Sequence, residues 1–83
     1  MENSKEVIIN TLKSKYPHNV GDIIKSSYAT IKVINVNFMV ALKIEDSYIH
    51  YNGVVLNQYG EETMKNKKGE LNCITMTSKD IIL

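Results

Sequence analysis

The chain has 83 residues, of which 43% are hydrophobic and 23% are charged, and its formal net charge is +1. This length suits one small domain spanning 1–83, and the near-neutral charge gives little long-range attraction for a polyanion. All ten basic residues are lysine, which excludes the bidentate guanidinium contacts that read guanine edges.

The composition is rich in isoleucine, asparagine and lysine, as is typical of proteins encoded by AT-rich genomes of bacteria, their phages and mobile elements. Cys73 is the only cysteine, so no disulfide forms within the chain. The N-terminus has no secretory apolar run, and the longest apolar stretch, 38–42, is far too short for a membrane span. We therefore expect a cytoplasmic protein with no membrane partner.

The first segment, 1–17, predicts a helix. Its apolar side chains recur at helical spacing, at Ile8, Ile9, Leu12 and Tyr16. Asn3 or Ser4 is the predicted cap, and Glu6 completes a capping box with Asn3. Pro17 disfavours helical geometry just before it, so the helix should end near Lys15.

From Val20 onward β-branched and aromatic residues predominate, which indicates strands. Between 34 and 44 every even position is apolar, the period of a strand with one buried face. A single strand of that length is unusual, so we favour a hairpin whose turn lies at 35–37. Phe38, Val40 and Leu42 should then face the helix.

A turn at 45–47 precedes a short predicted strand at 48–51. The Asn52-Gly53 pair that follows is a strong signal for a type I′ hairpin, because both residues tolerate positive φ. The segment 54–56 should therefore return against 48–51.

The segment 57–70 is rich in charge and glycine and predicts a charged loop, followed by a last main strand at 71–77. Ser78 is positioned to cap one helical turn. The apolar end at 81–83 must dock on its own domain or on a partner.

Together these segments predict an α+β fold with an N-terminal helix packed on an antiparallel meander of about five strands. The segment 20–83 would form the sheet or, if it curls, a small barrel. The start of the sheet at 20–23, Val-Gly-Asp-Ile, resembles small SH3-like barrels.

No residue pattern indicates an enzyme. His18, His50 and Cys73 lack metal-binding spacing, and no phosphate-binding loop occurs, so we expect no catalytic residues, metal or cofactor. A lone cysteine in an apolar strand is usually buried. His50 on its strand points with Tyr48 and Asn52 to one face, either a polar-aromatic binding surface or an ordinary solvated face.

The first functional hypothesis is a small binding protein that acts through protein–protein contacts, as a regulator or inhibitor of a host system from a phage or mobile element, with homo-oligomers expected. It draws on the sheet edge near 38–44 and the apolar end. The predicted partner-binding residues are Tyr48, His50, Tyr59, Lys65, Lys67, Lys68, Ile82 and Leu83.

Two alternatives remain. A nucleic-acid-binding barrel would use a tyrosine face with Lys25, Lys32, Lys43 and the lysines of 65–68. Glutamates beside the lysines of 65–68 weaken the positive potential that would attract a nucleic acid. The third hypothesis is a protein that sequesters a small ligand or nucleotide.

Overall fold

The computed structural model describes residues 4–81. In chain order it contains helix α1 (Ser4–Lys15), strands β1 (Ile23–Lys25) and β2 (Thr30–Met39), a 3-10 turn (Ile44–Asp46), strands β3 (Tyr48–Val55) and β4 (Cys73–Thr77), and a second 3-10 turn (Ser78–Asp80). The strands form one curled antiparallel sheet in the order β1-β2-β3-β4. The sheet has four strands rather than about five, because two predicted hairpins do not form.

The helix covers one face of the sheet, as its apolar periodicity predicts. Ile8 and Leu12 of α1 are buried in a cluster with residues of all four strands: Ile24, Ile31, Val33, Ile49, Tyr51 and Met76. The helix ends at Lys15, where Pro17 interrupts it, which confirms the predicted end. The predicted cap at Asn3 lies outside the described residues.

Strand β2 runs through the predicted turn at 35–37 without a break, so that hairpin is wrong. A β-bulge shifts its register against β3 between Val33 and Asn35. Ile34 is the extra residue and is about half exposed. The bulge changes which positions point inward, from odd positions before it to even positions after it.

The inward positions after the bulge fit the prediction only in part. Phe38 and Val40 are half-buried and pack against the core cluster. Leu42 is fully exposed, because β2 ends at Met39 and the chain leaves the sheet before reaching it. The alternation in the sequence therefore continues beyond the strand that it describes.

The Asn52-Gly53 turn is also wrong. Both residues lie inside β3 and pair on both sides, Gly53 with Val33 on β2 and with Ile74 on β4. Gly53 does not have a positive φ. A Cβ atom at this position would lie 2.7 Å from the Lys32 carbonyl oxygen, so the glycine permits a close approach of two strands.

The segment 57–72 connects β3 to β4 through turns and two isolated bridges. It is hydrogen-bonded to the end of β3: Thr63 N donates to Val55 O, and Val55 N donates to Asn72 O, each at 2.9 Å. Val54 and Leu56 are buried there outside the main core cluster. The last strand is shorter than predicted, and Thr77 rather than Ser78 caps the turn that follows it.

After β4 the chain returns to the start of the sheet. Ile81 forms an antiparallel bridge with Ser26, and the Tyr28 hydroxyl donates a 3.3 Å hydrogen bond to Asp80 Oδ2. Hydrogen bonds from the Thr77 backbone and side chain lower the pKa of Asp80. Burial and the neighbouring Asp80 carboxylate raise the pKa of Tyr28.

No helix within 4–81 has the length and apolar character required to cross a bilayer.

Candidate functional site

The outer face of the sheet, opposite the helix, carries a patch without any charged side chain. Strand alternation and the cross-strand pairs place nine residues there, beyond the bulge of β2 and on β3 and β4. We call this patch the uncharged face; it consists of Asn35, Asn37, Met39, Tyr48, His50, Asn52, Cys73, Thr75 and Thr77. It contrasts with the 23% of charged residues in the whole chain.

Side chains on the uncharged face hold one another in place. The Tyr48 and His50 rings pack edge to face with centroids 6.5 Å apart. The Thr75 hydroxyl donates a 2.8 Å hydrogen bond to the Asn52 side-chain oxygen across the β3–β4 pair. Tyr48, His50 and Asn52 are only half-buried, so they remain accessible from solvent. At the margin, Lys79 Nζ lies 5.5 Å from the Tyr48 ring centroid.

The face adjoins an open edge of β2. On β3, Ile49 N donates to Ser78 Oγ and Val55 N donates to Asn72 O, so the odd positions of β3 direct their main chain away from β2. The even positions of β3 therefore pair with Asn35, Asn37 and Met39. The N–H and C=O groups of Val36 and Phe38 therefore point away from β3.

Strand β1 does not reach that stretch of β2. Its ladder ends opposite Lys32, and the last backbone bonds on that side join Val33 to Asp22 and Gly21. Within residues 4–81, no strand pairs with the outer edge of β2 at 34–39. The Val36 and Phe38 main-chain groups therefore form an open edge, which we call the β2 edge.

A groove of about 700 Å³ lies beside the end of the β2 edge. Lys5 and Ile8 of α1 form one side of it, and 38–42 forms the other. Its lining is mostly apolar, and Lys13 Nζ lies 5.6 Å from the Phe38 ring centroid. Apolar surface is thus accessible next to unpaired backbone groups.

A smaller cavity of about 380 Å³ separates α1 from the two 3-10 turns. Lys15 and Lys79 contribute to its lining together with Glu45. Lys15 Nζ lies 5.4 Å from the Tyr16 ring centroid. The two lysines are each held over an aromatic ring rather than directed together at one anion site.

The core contains a polar pair without hydrogen bonds. The Tyr51 hydroxyl and His18 Nε2 are buried and have no hydrogen-bond partner among residues 4–81, and the two rings pack edge to face with centroids 6.0 Å apart. Burial raises the pKa of Tyr51 to about 12, with a smaller contribution from Tyr16. Tyr51 is fully buried, so it contributes to stability rather than to a surface site.

The structure brings together only part of the predicted site. Tyr48 and His50 are neighbours on the uncharged face. The exposed residues Tyr59, Lys65, Lys67 and Lys68 belong to 57–72. That segment follows the opposite end of β3, about 23 Å along the strand from Tyr48 at ~3.3 Å per residue. The predicted contacts Ile82 and Leu83 lie outside the described residues.

Cys73 is exposed, so the prediction that it is buried is wrong. Its neighbours Ile74 and Met76 point into the core, and alternation turns Cys73 outward. Cys73 pairs with Val54 and His50 pairs with Thr77. The thiol and the imidazole are therefore about 13 Å apart along the sheet, too far for a catalytic dyad.

Neither the acidic residues nor the lysines gather into one site. Within 4–81, no group of three or more His, Cys, Asp or Glu side chains could hold a metal ion. Lys25 and Lys32 are exposed on the outer face at the β1 end of the sheet, and Lys43 follows the far end of β2. Lys25, Lys32 and the segment that carries the lysines of 65–68 therefore belong to the end of the sheet away from Tyr48, whereas Lys43 is at the Tyr48 end, where its carbonyl oxygen accepts from Ser47 Oγ.

Sequence reasoning missed Asn35, Asn37, Met39, Thr75 and Thr77 as site residues. A signal for them was present, because the three longest runs without Asp, Glu, Lys or Arg are at 33–42, 47–60 and 71–78. These runs contain most of β2, all of β3 and all of β4. Charge-free runs that become neighbouring strands produce an uncharged surface.

Comparison of the chain with protein-family models finds no match, and comparisons with curated proteins and with solved structures find none either. Function is therefore inferred from this chain's own residues.

Proposed function

We propose that the chain is a non-enzymatic binding protein and that it binds another protein through the uncharged face of its sheet. The observation that carries this proposal is the absence of charge from nine neighbouring outward-facing positions on three strands. Lysine and glutamate ordinarily occupy such solvated positions, because they are the residues most often exposed.

The composition of the face favours a protein partner. Charged residues are depleted at the centres of protein interfaces, whereas tyrosine and methionine are enriched there. Tyr48 and Met39 supply large side chains, and the asparagines and threonines supply hydrogen-bonding groups that cost less to desolvate than charged groups. A stable interface uses about 20–30 residues on each side, so nine residues form the centre of such a contact.

The mode of action we infer is regulation or inhibition of a host protein in the cytoplasm by occupation of its surface. A chain of 83 residues has little room for a catalytic site of its own. The single free thiol of Cys73 suits a reducing compartment. Origin in a phage or mobile element is supported by the composition alone.

Affinity capture from lysates of the source cells tests the proposal with two variants. Thr75→Glu places a charge at an exposed position of the uncharged face, whereas Lys67→Glu changes an exposed residue of 57–72. Proteins retained by the wild type and by Lys67→Glu should be lost with Thr75→Glu, because a buried unpaired charge costs several kcal/mol. Retention of the same proteins by Thr75→Glu would contradict the proposal.

The nucleic-acid alternative rests on the exposed pair Lys25 and Lys32 at the β1 end of the outer face. An oligonucleotide bound there should dissociate steeply as salt rises, in proportion to the phosphates contacted. An interface centred on the uncharged face should be far less sensitive to salt. Failure of single- and double-stranded oligonucleotides to bind at low salt would remove this alternative.

The small-ligand alternative rests on the 380 Å³ cavity lined by Lys15 and Lys79. A volume of this order is within the range of small-molecule sites. Native mass spectrometry of protein purified from its source would show a retained ligand as an added mass. A protein without added mass would argue against sequestration.

We also propose that the curled sheet is the open form of a small SH3-like barrel. Support comes from the Ser26–Ile81 bridge and the Tyr28–Asp80 hydrogen bond, which join the two ends of the sheet. Nuclear Overhauser contacts between Ser26 and Ile81 in solution are expected on this proposal. The absence of these contacts would contradict the proposal, because the two ends of the sheet would then be separate.

A further inference from the structure

We propose that the β2 edge pairs with the β2 edge of a second copy of this chain, giving a two-fold symmetric dimer with one continuous sheet. This proposal concerns the edge of the sheet and does not depend on the partner of the uncharged face. It rests on the direction of the backbone groups, the symmetry of the edge sequence and its lack of charge.

The backbone groups of the β2 edge match those of an antiparallel copy. The N–H and C=O groups of Val36 and Phe38 point outward, two residues apart, as a partner strand requires. With the symmetry axis at Asn37, Val36 of each copy pairs with Phe38 of the other copy. This register forms four main-chain hydrogen bonds.

The side chains around Asn37 are also self-complementary. Val36 and Phe38 lie on the inner side, so the axis brings apolar side chains together beside the 700 Å³ groove. On the outer side the two Asn37 side chains meet in a non-hydrogen-bonded pair, with Cα atoms about 4.5 Å apart. Their amides can donate and accept reciprocally.

Charge favours a second copy as the occupant. A two-fold axis places charges close to it beside identical charges, and 33–42 carries none; the nearby lysines Lys5 and Lys13 belong to α1. The net charge of +1 on each copy gives little repulsion.

The edge lacks the side chains that usually protect against such pairing. Natural edge strands that stay unpaired carry an inward-pointing charge, a lysine or a proline. Apart from the bulge at its start, the β2 edge has none of these between Ile34 and Met39. Pairing would place the uncharged faces of two copies side by side on the same side of the sheet.

Sedimentation velocity over a range of concentrations tests the dimer with a charge-exchange design. The wild type should dimerise, whereas Asn37→Lys alone and Asn37→Asp alone should remain monomeric because like charges meet at the axis. An equimolar mixture of the two variants should restore the dimer. Thr75→Lys, on the far strand of the same face, is the matched control and should dimerise like the wild type.

Three results would overturn the proposal. They are a wild type that stays monomeric up to about 1 mM, an Asn37→Lys variant that still dimerises, and a mixture of the two variants that stays monomeric. Should the charged variants fail to fold, amide exchange of the wild type decides the question. Exchange at Val36 and Phe38 should slow by at least tenfold with rising concentration, and unchanged exchange would refute the dimer.

Discussion

Gly53 shows how one residue controls the packing of two strands. It lies opposite Val33, beside the bulge, and a Cβ atom there would be 2.8 Å from Ile31 Cδ1 as well as 2.7 Å from the Lys32 carbonyl oxygen. The backbone oxygen cannot rotate away as a side chain can. The glycine is therefore required by the distance between strands and not by a turn.

Gly53→Ala should lower the free energy of unfolding by about 1–3 kcal/mol, the usual cost of overpacking. Urea denaturation followed by circular dichroism measures the change. Lys25→Ala, an exposed substitution on β1, is the control and should change stability by less than about 0.5 kcal/mol. A Gly53→Ala protein as stable as the wild type would mean that the strands are farther apart.

Because of Tyr51, the free energy of unfolding should decrease at alkaline pH. Burial raises its pKa in the folded state from 10.0 to about 12, so the folded protein keeps the proton over a range in which the unfolded chain releases it. Its contribution to stability is therefore complete below pH 10 and is lost as the pH rises toward 12.

Tyr51→Phe should weaken that dependence. At neutral pH the variant should be about as stable as the wild type, because the buried hydroxyl has no hydrogen-bond partner within the described part of the chain. Between pH 10 and about pH 12 the wild type should lose more stability than the variant. Parallel pH profiles of unfolding for the two proteins would contradict the burial of the hydroxyl.

At the scale of elements, the bulge in β2 explains what could be predicted from the sequence. The helix was predictable because its stripe, its proline and its length all agree. The hairpin at 35–37 was not, because a bulge changes the inward positions without any mark in the local composition. The turn at Asn52-Gly53 was wrongly predicted for a related reason, because glycine occurs where two strands approach closely as well as in turns.

Deletion of Ile34 should be tolerated. Removing the bulged residue leaves Val33 and Val36 inward with Asn35 between them, so every other residue of β2 keeps its face. Deletion of Asn37 is the matched comparison, and it turns Phe38 outward and Met39 inward. Thermal unfolding by circular dichroism should be cooperative for the first variant and absent for the second, and the reverse outcome would refute the assigned register.

At the scale of the molecule, charge is distributed unevenly over the surface. The exposed charges lie on α1, on 57–72, at the β1 end of the sheet and in the 3-10 turns, whereas the middle of the outer face has none. Tyr48 and His50 could be predicted as a pair from alternation on one strand. Their neighbours from β2 and β4 could not, because they depend on strand order and register.

The reactivity of Cys73 measures most directly whether a bound protein covers the uncharged face. The thiol is exposed on this face and is the only one in the chain, so the wild type can be used without substitution. Modification by a maleimide should slow by at least tenfold when a captured partner is bound. An unchanged rate under saturating partner would contradict the account, because the partner would then occupy another surface.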